Sequence, residues 1–204
     1  MSLKTFQQVL VDLTLTPSRA RALRVDGGAL EGYDLTPLER ERLLDILRQP
    51  GISVHCSLSR GNRFETIAEI FPMTCVLLEP VLRELLEELW RISRPENYQL
   101  SGEEAAFAEL VKCKLAVGEI AIEYLEEVFA YEMVCWDLAR RMRMQRDAES
   151  AVEAVVEFQH SPGELLPHLS RLVAPPARLP RGRYSARVVL RDGRFDVEML
   201  DEDV

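Results

Sequence analysis

The sequence predicts an α+β protein, mainly α, with an N-terminal multi-helix bundle and a small C-terminal three-stranded β-sheet carrying one helix. Three observations lead there. Apolar residues recur at helical spacing through most of the first 148 residues. Near Ala151 the period changes to strand spacing, with Val152, Ala154, Val156 and Phe158 alternating with Glu153, Val155, Glu157 and Gln159. An Asp192-Gly193 pair then sits between two alternating runs, which is a hairpin signature.

The elements follow in order. Leu3, Phe6, Leu10 and Leu13 mark a first helix, and Pro17 and Gly27-Gly28 bracket a second short one. Thr36-Pro37-Leu38-Glu39 combines an N-cap, a proline at the first helical position and a capping-box glutamate, so a helix should run to Arg48 and stop before Pro50-Gly51. Asn62 and Glu65 are expected to start the next helix after an irregular stretch, with Pro72 ending or kinking it. Pro80 opens an amphipathic helix bearing Leu82, Leu85, Leu86, Leu89 and Trp90, closed by Arg94-Pro95. Ser101 and Glu104 form a second capping box before Phe107, Leu110, Val111 and Leu115. The longest helix is expected from Glu119 to about Arg146, its last turns carrying Arg140, Arg141, Arg143 and Arg146 where cations favour the dipole.

A strand follows, then Ser161-Pro162-Gly163-Glu164 as a third capping box and a short helix through Leu169. In the closing hairpin Tyr184, Ala186, Val188 and Leu190 point inward, and Phe195, Val197 and Met199 return. Two domains are expected: residues 1–148, helical, and residues 149–204, a strand, a helix and a hairpin that need packing against a helical body.

Composition bounds the function. Hydrophobic residues at 47% and charged residues at 29% exclude disordered and membrane classes. No apolar run is long enough to span a bilayer, and Met1 to Gln8 carries no secretory pattern, so the expected address is cytoplasmic. A net charge of −9 argues against general nucleic-acid affinity. The charge is uneven, however: seven arginines between Arg171 and Arg194 face one acid, Asp192. That basic stretch suits an acidic partner segment, or simply a solvated sheet face.

Catalytic and metal chemistry find no pattern. Cys56, Cys75, Cys113 and Cys135 lack the two-residue gap of a zinc clasp, and most lie in apolar helical surroundings where cysteine acts as a small core hydrophobe. His160 and His168 are eight residues apart and read as capping or surface residues. Glu119, Glu123, Glu126 and Glu127 read as a solvated helix face, because a di-metal bundle needs Glu-x-x-His elements that this chain lacks. No Gly-rich phosphate loop or nucleophile elbow occurs. The expectation is a non-enzyme with no cofactor, no catalytic residue and no metal.

One segment is distinctive: Gly51-Ile52-Ser53-Val54-His55, then Arg60, then Arg63-Phe64-Glu65-Thr66-Ile67-Ala68-Glu69-Ile70-Phe71-Pro72 and an apolar continuation to Leu78. It resembles the helical family of DNA-binding-domain helper proteins that accompany multinuclear iron-dependent oxidases in ribosomal peptide natural-product biosynthesis. In that family an extended start leads to a helix ending in Phe-Pro before a second apolar helix; here His55-Cys56 stands where the family has Tyr-Arg. Tyr124-Leu125-Glu126-Glu127-Val128-Phe129-Ala130-Tyr131-Glu132 is similar to a later helix of the family. Ala29 to Arg40 resembles a short helical module of ring-opening dioxygenase small subunits and of peptide leader regions.

The resemblance implies a partner protein that binds a precursor (leader) peptide and presents it to a separate iron-dependent oxidase subunit. Its motif residues His55, Arg60 and Arg63 are then the expected partner interface. The hairpin supplies the expected peptide site, Arg183, Arg187, Val189, Arg191 and Arg194, because a sheet edge can accept an extended peptide. The alternatives are a DNA-binding regulator, an enzyme subunit with a metal held by Cys56 or the histidines, and a structural homo-oligomer.

Overall fold

A computed structural model of the chain describes residues 3–15, 22–23, 30, 32–93, 102–144 and 151–200. The protein is mainly helical with a small antiparallel sheet, the predicted α+β class. Its elements are α1 (Leu3–Leu15), α2 (Pro37–Arg48), α3 (Pro50–Ile70), α4 (Pro72–Leu77), α5 (Leu82–Ile92), α6 (Glu103–Ala116), α7 (Leu125–Met144), β1 (Val152–His160), α8 (Pro162–Leu169), β2 (Arg181–Arg191) and β3 (Arg194–Leu200). Among the described residues no helix is long and apolar enough to cross a membrane.

Two compact units emerge. One comprises Met1–Thr66 with Leu86–Glu103, the other Ile67–Leu85 with Glu104–Val204. The sheet therefore shares its unit with α4 and α7.

In the first unit, Val9, Leu13, Leu35, Leu43 and Leu47 form a buried cluster. Helix α2 starts as its sequence dictates: the Thr36 side chain accepts from the Glu39 amide, and the Glu39 carboxylate accepts from the Thr36 amide at 2.9 Å. The chain breaks at Gln49 and immediately becomes helical again, so α3 begins at Pro50 rather than near Asn62. Residues 51–55 are thus helical, not the extended start that the family resemblance implied. Proline fits a first helical position, and the serines spend their hydroxyls inside the helix: Ser53 Oγ donates to the Pro50 carbonyl at 2.8 Å and Ser57 Oγ to that of Ser53 at 2.9 Å.

In the second unit, Phe71 lies within 6 Å of three aromatic rings: Phe107 at 5.7 Å, Phe129 at 5.8 Å and Trp136 at 5.9 Å. Helix α7 begins at Leu125, later than the expected Glu119, because Gly118 (φ 72°) and Tyr124 (φ 67°) take left-handed conformations that no helix accommodates. Beside it, the Glu132 carboxylate accepts the Met73 and Thr74 amides, both at 2.8 Å, and so caps the start of α4. Burial nevertheless pushes the Glu132 carboxyl up to about 7, against those hydrogen bonds.

The sheet order is β1-β2-β3, antiparallel throughout. Helix α7 covers one face, where Tyr131 and Leu138 pack on Val156, Phe158, Ala186, Val188 and Leu190. Asp192 (φ 51°) and Gly193 (φ 74°) make the tight turn that their sequence announced. Ser161 is the N-cap of α8 but makes no side-chain cap bond, so the third capping box is not formed. Expectations for Pro17, Gly27-Gly28, Arg94-Pro95, Ser101 and the 147–150 boundary lie outside the described residues.

Candidate functional site

Strand β3 is the last in the sheet, and its register decides what it offers. A two-residue turn makes Arg191 and Arg194 a hydrogen-bonded pair, and such pairs recur at every second position of an antiparallel ladder. Val189–Asp196, Arg187–Glu198 and Ser185–Leu200 therefore spend their backbone groups on each other. Phe195, Val197 and Met199 turn their N–H and C=O groups away from β2, toward the open edge.

Their side chains lie on the face that α7 covers, in register with Leu190, Val188 and Ala186. Those three partners are 3%, 0% and 0% exposed, whereas Phe195, Val197 and Met199 remain 41%, 39% and 45% exposed. The core under α7 draws on β1 and β2 and stops there. An apolar strip and a row of outward backbone groups thus belong to the same three residues.

The predicted peptide contacts fall elsewhere. Arg183, Arg187, Val189 and Arg191 all lie on the opposite face of β2, the central strand, which is paired on both sides from Ser185 to Leu190. A stretch paired on both sides cannot accept a further strand, so Arg187 and Val189 do not form the expected edge, and Arg183 and Arg191 lie at the ends of the doubly paired stretch. Val189 is also buried, flanked by Glu153 and Asp196. Arg187 donates through Nε to Glu198 at 3.1 Å and lies 4.0 Å from Glu153, and both acids raise its pKa, Glu198 most. Arg194 is the one predicted contact on β3 itself, at the turn. On that outer face the open edge presents Asp196 and Glu198, which suit a basic segment rather than the acidic one expected.

The predicted partner interface separates too. His55 is exposed and Arg60 half-buried on α3. Arg63 is 1% exposed; its Nε donates to Glu103 at 2.6 Å, a terminal nitrogen donates to the Ser93 carbonyl at 3.2 Å, and the guanidinium sits 5.5 Å from the Trp90 ring centre. It is a core residue of the first unit and has no surface to offer a partner. Cys56 and Cys75 are buried, and burial pushes the Cys75 thiol up to about 12 and that of Cys135 up to about 11. Both stay as unreactive thiols at neutral pH.

Sequence reasoning missed one arrangement. Glu127, read as part of a solvated face, is buried and accepts from His160, read as a capping or surface residue and also buried. The two are 33 residues apart, and neither neighbourhood carries a pattern that announces the other. No protein-family model, characterised protein or solved structure matches the chain.

Proposed function

We propose that this chain is a non-catalytic partner protein that takes up an extended peptide as an added strand on the open edge of β3. The observation that carries this reading is the coincidence, in Phe195, Val197 and Met199, of outward backbone groups and uncovered apolar side chains. Backbone hydrogen bonds from an added strand would supply affinity, and the apolar strip would select alternate side chains. An exposed apolar edge invites aggregation unless something occupies it. The family resemblance supplies the peptide's source, a ribosomally made precursor, and its destination, a separate iron-dependent oxidase.

Charge favours a heterologous peptide over a second copy. If two β3 strands paired antiparallel about Val197, Asp196 of each would face Glu198 of the other, and like charges directly opposite destabilise a ladder. A peptide with cations at those positions is attracted instead. The DNA-binding alternative gains nothing here, since the same acids would repel phosphate.

Calorimetry on the full chain tests the proposal. A synthetic peptide alternating valine and lysine should bind, and its valine–glutamate counterpart should bind far more weakly. Val197→Pro removes an outward N–H without touching the β2 ladder, so it should abolish binding while circular dichroism stays unchanged. Equal binding of both peptides, or undiminished binding by the proline variant, would overturn the reading. Should the proline variant unfold, Val197→Lys serves in its place, with the same expected loss.

A further inference from the structure

Beside the start of α7 the second unit holds a cleft of about 390 Å³, within the size range of small-ligand sites. A neighbouring lobe of about 680 Å³ shares Glu126, Glu127 and Gln159 with it. The cleft is built with some care for backbone detail. The β1–β2 register shifts between Phe158 and His160, a bulge of the kind that re-aims side chains at functional sites. There the Gln159 and His160 amides both donate to Glu127 Oε2, at 2.7 and 3.1 Å.

The other carboxylate oxygen lies 2.6 Å from His160 Nδ1. With Nδ1–H donating to that carboxylate, a neutral imidazole presents Nε2 as an acceptor. Among the described residues Nε2 has no hydrogen-bond partner, and His160 lines the cleft although it is only 7% exposed. Tyr124 locks the ring from one side, edge-on at 4.7 Å between ring centres. Its own left-handed backbone is costly for an aromatic residue, and its hydroxyl is tied to the Pro176 carbonyl at 3.2 Å. Arg178 and Arg181, both exposed, also line the cleft, and Arg181 reaches Gln159 Oε1 at 3.3 Å.

We infer that this cleft binds the free C-terminus of a peptide. Arg178 and Arg181 meet the carboxylate, and His160 Nε2 accepts the adjacent backbone N–H. The chemistry favours a singly charged carboxylate over phosphate, because Glu123 and Glu126 stand exposed at the rim and would repel a dianion. The site is separate from the β3 edge, and neither requires the other.

The test uses the full chain and two short peptides that differ only at the end, Ala-Ala-Val with a free carboxylate and the same peptide amidated. The imidazole nitrogens of His160, assigned by comparison with His160→Gln, are followed by NMR. The free acid should shift the Nε2 resonance and bind at least tenfold more tightly than the amide, by loss of a charge-assisted pair worth about 1.4 kcal/mol or more. Arg178→Gln, at an exposed position, should remove that preference without affecting the fold. Inorganic phosphate should not compete. Equal shifts from acid and amide, no shift from millimolar acid, or displacement by phosphate would each overturn the inference. Val197→Pro should leave these results unchanged, which separates this site's failure from that of the β3 edge.

Discussion

Val197 stands opposite Val188 in the β2–β3 ladder, yet Val188 is fully buried and Val197 is 39% exposed. The difference follows from where α7 ends its coverage, at β2. Val188→Ala should cost about 2 kcal/mol, the transfer and cavity terms of a buried branched side chain. Val197→Lys should stay within about 0.5 kcal/mol of the parent, as for other surface substitutions. Urea titration of the two variants measures both.

Arg63 and Glu103 form an ion pair in which each side chain is 1% exposed. Removing one partner leaves the other charge buried without its counter-ion, which typically costs about 3–5 kcal/mol. Arg63→Met should therefore be severely destabilising, and Arg63→Met combined with Glu103→Leu should recover most of the loss. Thermal melts of the single and double variants form the cycle that checks it.

The Glu132 carboxyl predicts a pH dependence. In the unfolded chain it releases its proton near 4.5, and in the folded protein near 7. Between those values the folded state holds the extra proton, so stability declines as pH rises from about 4.5 to about 7. The full swing is on the order of 3 kcal/mol. Glu132→Gln should flatten this slope when unfolding free energies are measured across the same range.

Arg187 gives the opposite kind of prediction. Its guanidinium is already engaged by Glu198 and Glu153 on a paired central strand. Arg187→Ala should leave the affinity for a valine–lysine peptide unchanged or raise it, since Glu198 is then released toward the edge. Calorimetry on this variant separates the β3 edge from the arginine face as the binding surface.

Much of the fold was legible because it is local. The Thr36–Glu39 box, the alternation from Val152 and the Asp192-Gly193 turn each act within a few residues, and each appears where the sequence placed it. The start of α3 differs from the expected Asn62 because the stretch before it lacks a regular apolar period, while the helix there absorbs the Ser53 and Ser57 hydroxyls. The candidate site was legible only in part. That Phe195, Val197 and Met199 point to the core side followed from their period, but that α7 stops short of them depends on tertiary packing. Whether an arginine is free, as supposed for Arg63, or buried against Glu103 forty residues away is likewise decided by packing alone.

The most direct test is amide-resolved hydrogen exchange on the full chain, with and without the valine–lysine peptide. The account predicts new protection at Phe195, Val197 and Met199, whose N–H groups face the open edge, and little change at Asp196 and Glu198, already bonded to β2. Protection confined to β1, or no change at those three amides under saturating peptide, would contradict it.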